Sequence, residues 1–223
     1  MKLNSKTNLF LAELKKLADP ADIPAMRNYH KIDRPYLGVR VPQIGKLTDL
    51  WISRLHEKEV LLLCDDLWAS NIHECHGAVG KLLGHKNLSD LPEIWKRLDT
   101  YKEDFDSWAM ADSLAHAGFK VLRDLPEYLD VMEREWLTHK NFWVRRACLV
   151  FTLYQAKPDM SPGRSLLWAS QMVDDREWFI QKAVGWYLRE LSKHNPSEVK
   201  RFLSQYAGRM KPFAVREASK YLD

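Results

Sequence analysis

The feature that most constrains this chain is an internal period of 35 or 36 residues. Phe142-Trp143-Val144-Arg145-Arg146-Ala147 aligns with Trp178-Phe179-Ile180-Gln181-Lys182-Ala183 and again with Phe213-Ala214-Val215-Arg216-Glu217-Ala218. The three alanines therefore stand 36 and 35 positions apart. Steps of 35 back from Asn141 reach Asp106 and Asn71, each a residue type that opens helices, and Trp108 lies 35 before Trp143. A unit of this length holds two helices and their connections, and it buries its apolar face only against its neighbours.

Local signals agree. There is no sustained apolar/polar alternation and no Asn-Gly or Asp-Gly turn, so strands are not expected. Leu9, Phe10, Leu14 and Leu17 recur at helical spacing, Asp19-Pro20 reads as an N-cap with proline at the first helical position, and Val41-Pro42 opens a helix carrying Ile44, Leu47, Leu50 and Trp51. Further helices are expected near Glu57, Asn71, Ser89, Asp106, Leu125, Asn141, Ser161, Asp175, Pro196 and Lys211, with residues 31–40 as a loop. The fold class predicted is all-α: an α-solenoid, or superhelix, of HEAT-like helical-pair repeats with about a dozen helices, in one domain over residues 1–223.

Charge and composition narrow the function classes. Among 223 residues, 34 Lys+Arg against 30 Asp+Glu give a net charge of +4, which permits a polyanionic partner without demanding one. Three separated cysteines, Cys64, Cys75 and Cys148, do not make a disulfide framework and point to a reducing compartment. No apolar run approaches the ~20 residues that cross a bilayer, and the first residues lack the apolar core of a signal peptide. A cytoplasmic protein with no membrane contact is the expectation.

Three groups of side chains carry chemistry. On the helix expected after Asp175, Lys182, Trp186, Arg189 and Lys193 form a stripe opposite the apolar face. Such a stripe is either a tryptophan packed under long cationic stems or a platform for nucleic acid, with cations on phosphates and the indole on sugar or base. Trp108 and Asp112 are four apart on one helix face, clear of the seam formed by Met110, Leu114, Ala117 and Val121. Arg146 sits among apolar neighbours, where a guanidinium wants an anion, either a carboxylate of the protein or a phosphate. The repeat register sets Asp112, Arg146 and Lys182 at like points of successive units, as if lining one groove. His73, Cys75 and His76 are metal-ligand types, but their spacing splays them over different helix faces and no metal is expected. Gly77, Gly80 and Gly84 do not make a phosphate loop.

The blocks DSWAMADSLA (106–115), NFWVRRACLV (141–150) and REWFIQKAVGWYLREL (176–191), with PYLGVRVPQIGKL (35–47), resemble the AlkD-type alkylpurine DNA glycosylases over about residues 10–221. The resemblance implies a HEAT-like helical fold with a basic DNA-binding face. It implies hydrolysis of the N-glycosidic bond of cationic alkylated purines, such as N3-methyladenine and N7-methylguanine, without a deep base-flipping pocket and without metal or organic cofactor. Position by position, it assigns the catalytic carboxylate to Asp112, the two tryptophans that touch the lesion-bearing nucleotide to Trp108 and Trp186, and the backbone-binding arginine to Arg146. The family's tyrosine near position 26 is replaced by Met26, with Tyr29 and Tyr36 the nearest alternatives. The partner implied is duplex DNA containing alkylated purines, bound by a monomer in the bacterial cytosol. A non-catalytic helical-repeat protein for altered or branched DNA, and a protein-binding scaffold, are the competing readings.

Overall fold

The computed structural model describes residues 4–222. The chain forms two compact units, Met1–Val121 and Leu122–Asp223. In the first, α1 (Ser5–Lys16) leads through a 3-10 turn (Pro20–Asp22) into α2 (Ile23–His30). An irregular strap over residues 31–40 then precedes α3 (Val41–Ile52), α4 (Glu57–Ala69), α5 (His73–Gly84), α6 (Leu91–Tyr101) and α7 (Trp108–Ser113). The second unit is entered along α8 (Ala115–Asp124) and holds α9 (Tyr128–Val131), α10 (Phe142–Phe151), α11 (Gly163–Gln171), α12 (Trp178–Ser192), α13 (Pro196–Tyr206) and α14 (Pro212–Ala218). Among the described residues there are fourteen α-helices and no strand. The all-α reading and the helical-pair pattern hold.

The period is visible in the bonds that tie one repeat to the next. In the first unit, Trp68 Nε1 donates to Asp104 at 2.9 Å and the Tyr101 hydroxyl to Asp65 at 2.5 Å, each across 36 residues. Lys120 Nζ donates to the His85 carbonyl 35 residues away. In the second unit, Lys182–Glu217, Arg209–Asp174 and Lys211 Nζ to the Arg176 carbonyl all span 35. Side chains at like points of successive repeats lie within reach of one another because the stacking step equals one repeat.

Helix starts differ from expectation in register rather than in existence. Asn141 is an N-cap, its side chain accepting from the Trp143 N–H. Asn71 lies instead in a left-handed turn (φ 55°) with Ile72 as N-cap. Ser107 rather than Asp106 caps α7, and Glu177 rather than Asp175 precedes α12, although the Asp175 carboxylate accepts from the Glu177 N–H. The single helix expected from Asp106 is two: α7 stops after Ser113, and Leu114 turns toward a tighter hydrogen-bond pattern, its N–H reaching the Ala111 carbonyl. The α9 segment continues as a π-helical turn over Met132–Trp136, which no sequence signal announced.

The apolar seam of Met110, Leu114, Ala117 and Val121 is buried, as are Phe10, Leu14, Ile44, Leu47 and Trp51, whereas Leu9 and Leu50 face outward. Trp95 is core. The three cysteines are buried thiols. Among the described residues, no helix is long and apolar enough to cross a membrane.

Candidate active site

A pocket of about 480 Å³ opens in the first unit, walled by α2, the strap, α3, α5 and α7. Its position depends on the strap. Glu74, 1% exposed on the first turn of α5, accepts from the backbone N–H groups of Leu37, Gly38 and Val39 at 3.0, 2.7 and 3.2 Å. The His73 N–H returns a bond to the Pro35 carbonyl. Gly38 is required at the bend: its φ is +81°, and a Cβ there would fall 2.0 Å from the Asp19 carbonyl oxygen.

Trp108 and Asp112, one helical turn apart on α7, both line this pocket and are both half-buried. The Ser107 hydroxyl accepts from the Met110 N–H and fixes the start of their helix. Gly80 of α5 lets α7 approach closely, since a Cβ on Gly80 would meet the Ser113 carbonyl oxygen at 2.0 Å. Tyr29 stands edge-on to the Trp108 ring at 5.4 Å and is largely exposed, while Tyr36 is buried. Of the two tyrosines near Met26, Tyr29 is the one that joins Trp108 in the pocket lining.

Behind Trp108 the lining is polar and largely withdrawn from water. His30 lies tilted against Trp108 at 5.1 Å and against His73 at 4.2 Å, and His73 stacks on Tyr36 at 4.6 Å. Arg34, 5% exposed, donates to His76 Nδ1 and to the Asp106 carboxylate and packs on the Met110 sulfur. Burial, reinforced by the nearby His30 and Arg34, holds His73 down to about 3. His76 is held to about 4 by burial and by Arg34. Burial likewise lowers His30. Each of the three rings is thereby pushed toward its neutral form. Cys75 does not join His73 and His76: its thiol is in the core and burial pushes it up to about 11. Among the described residues no cluster suits a metal ion.

The remaining sequence-predicted residues belong to the second unit. Arg146 on α10 is 4% exposed, and its Nη1 donates to the Phe179 carbonyl at 2.8 Å at the start of α12. Lys182 and Arg189 on α12 both pair with Glu217 of α14, Lys182 at 2.9 Å. Lys193 pairs with Glu190 at 2.6 Å. Trp186, between them, is half-buried. The stripe is therefore present, but its cations carry carboxylate partners: Glu190 from α12 itself, and Glu217, which the α12 sequence alone did not reveal because it enters from the next repeat.

Sequence reasoning missed Arg34, His30, Glu74 and the site role of His73 and His76. Arg34 reads as a solvated arginine between Asp33 and Pro35, and its burial depends on Asp106, 72 residues away. Glu74 had a usable signal, lying 36 residues after Gly38, one repeat away.

A family model described as DNA alkylation repair enzyme matches residues 10–222. Among solved structures, a predicted DNA alkylation repair enzyme from Enterococcus faecalis is similar at a TM-score of 0.80 and 22% identity, over 92% of this chain and 96% of that one. AlkD2 from Streptococcus mutans is similar at 0.69 and 18% identity, over 97% and 99%. The smu.31 protein of Streptococcus mutans UA159 is similar at 0.66 and 20% identity, over 82% and 93%. At these identities the likeness carries the fold alone. No curated protein matches the chain. With the helical-pair fold described and the family model matched over nearly its whole length, this chain belongs to the DNA alkylation repair enzyme family.

Proposed function

We propose that this protein is a DNA glycosylase, hydrolysing the N-glycosidic bond of cationic alkylated purines, of the N3-methyladenine and N7-methylguanine type, in duplex DNA. The observation that carries the reading is the pairing of Trp108 with Asp112, one turn apart on α7 and both lining the first-unit pocket. An alkylated purine already bears positive charge, so it departs with the glycosidic electron pair and needs no strong general acid. The charge that develops is on the deoxyribose, as an oxocarbenium ion. A fixed carboxylate at Asp112 stabilises that charge and orients the water whose oxygen bonds to C1′, its proton passing to the carboxylate or to solvent. The faces of Trp108 and Tyr29 attract the cationic nucleoside.

In the same reading Trp186 is a second aromatic contact to DNA, and Lys182, Arg189 and Lys193 bind backbone phosphates, exchanging Glu217 and Glu190 for the incoming anion. Arg146, which the resemblance makes a backbone-binding arginine, is nearly withdrawn from solvent and tied to the Phe179 carbonyl, so in this reading it positions α10 against the first turn of α12 rather than holding a phosphate itself. The protein acts as a monomer, in the bacterial cytosol, and its residues supply the chemistry without a metal or organic cofactor. Incubation with methylated duplex DNA, with released bases identified by mass, tests the proposal: release of 7-methylguanine or 3-methyladenine is expected, and release of neither overturns it.

A further inference from the structure

We propose that a row of cations and aromatic rings along the helix starts of the second unit, at Lys140, Phe142, Arg176, Trp178, Lys211 and Phe213, is a further contact for duplex DNA, with the cations on phosphates and the rings against deoxyribose. This rests on the DNA-acting reading above and extends it to residues that take no part in base release. The row follows the repeat. Lys140, Arg176 and Lys211 stand 36 and 35 residues apart, and Phe142, Trp178 and Phe213 follow them two residues on. These rings open α10 and α12 and occupy the second position of α14. They join into one surface. Phe142 stacks on Phe179 with centroids 6.5 Å apart, Trp178 meets Phe179 edge-on at 4.9 Å, and Trp178 stacks on Phe213 at 5.3 Å. Trp178 remains 48% exposed, and Phe142, Phe179 and Phe213 are half-buried.

Charge sets this edge apart from the α12 stripe, whose cations are held by Glu217 and Glu190. Lys140 and Arg176 are exposed and, among the described residues, paired with no carboxylate. Lys211 Nζ donates to the Arg176 carbonyl at 2.5 Å, a neutral acceptor that leaves its charge uncompensated. The acids of the same connections are taken, Asp175 by Arg145 at 2.8 Å and Asp174 by Arg209, which leaves Glu177. Trp178 stands four residues before Lys182, hence on one helix face with it, so the row extends the α12 stripe by one turn. Neighbouring helices pack about 8–10 Å apart, so the row runs on the order of 20 Å, the rise of about six base pairs. This charge selects a polyanion as occupant. An apolar protein face would leave the cations desolvated and unpaired, whereas a DNA strand brings phosphates to them without first displacing a carboxylate.

Anisotropy of a fluorescein-labelled undamaged duplex, titrated with the full chain across a salt series, tests the row independently of catalysis. Lys140→Gln combined with Arg176→Gln, both at exposed positions, is expected to weaken binding about tenfold or more at about 0.1 M salt and to lower the slope of log K against log salt by about 1–2, near 0.9 per phosphate lost. Trp178→Ala is expected to weaken binding about fivefold with the slope unchanged; if it does not melt cooperatively, the double glutamine variant decides alone. A charge-matched control, Lys58→Gln with Lys200→Gln, also at exposed positions, is expected to keep the wild-type slope. A control that lowers the slope equally overturns the proposal, since net charge alone would then account for the effect. A wild-type slope in the folded Lys140→Gln/Arg176→Gln variant overturns it too, even where 7-methylguanine is released from methylated DNA, which separates its failure from that of the glycosylase reading. Self-association of the free protein that Trp178→Ala abolishes would assign the row to a second copy of the chain and overturn it likewise.

Discussion

His76 gives the pocket a pH dependence that can be worked out from one hydrogen bond. The guanidinium of Arg34 only donates, so His76 Nδ1 must accept, and the ring is neutral with its proton on Nε2. Protonating it would set two cations together in a buried place, which is why burial and Arg34 hold it to about 4. The unfolded chain, with an ordinary value near 6.5, binds this proton first as pH falls, so stability is full above about pH 6.5 and is lost between there and about 4. For His76 alone the loss from pH 7.5 to 5 is about 2 kcal/mol. The melting temperature is expected to fall over that range, and His76→Gln, whose carbonyl can still accept from Arg34, is expected to flatten the fall. Equal pH dependence in variant and wild type would remove His76 as its source. At this scale the sequence was half legible. The four-residue step from Trp108 to Asp112 was readable because both sit on one short helix, whereas Arg34 and His30 acquire their setting from contacts tens of residues away.

The helix that carries Trp108 and Asp112 has only six residues, and its place is set by α5. Contact at Gly80 is so close that one methyl group would collide with the Ser113 carbonyl. Gly80→Ala is therefore expected to destabilise the protein by about 1–3 kcal/mol and to slow base release by shifting Asp112, read as a lower melting temperature together with a lower single-turnover rate. Release at the wild-type rate would show that the placement of α7 does not matter to the chemistry. Helix existence was legible from apolar spacing, and Asn141 from its capping chemistry. The break at Leu114 and the π-turn at Met132–Trp136 were not, because neither place holds a Gly or Pro that would announce it. Glu217 illustrates the same limit: on α14 it is an ordinary surface acid, and only the repeat stacking brings it to Lys182 and Arg189.

Across the whole chain, a period of 35 or 36 residues organises both backbone and charge. It was legible in the second half from the aromatic-basic blocks and back to about residue 70 through Asn71, Asp106 and Trp108; bonds such as Trp68–Asp104 and Tyr101–Asp65, whose residue types do not repeat along the chain, carry it further. A net charge of +4 is a poor guide to the charge offered to DNA, because the cations of the α12 stripe are held by acids. Glu217→Gln leaves Lys182 and Arg189 without their shared partner. It is expected to tighten duplex binding and to steepen the dependence of log K on log salt by about 1–2, near 0.9 per phosphate gained; an unchanged slope would move the DNA path away from α12. The decisive measurement is release of 7-methylguanine from methylated duplex by the wild type and by Asp112→Asn, at matched DNA affinity. Release by the wild type, with a loss of about 10²–10³ in the variant, is the expected result. Equal rates in the two proteins would contradict it, and would leave Asp112 without a part in the chemistry.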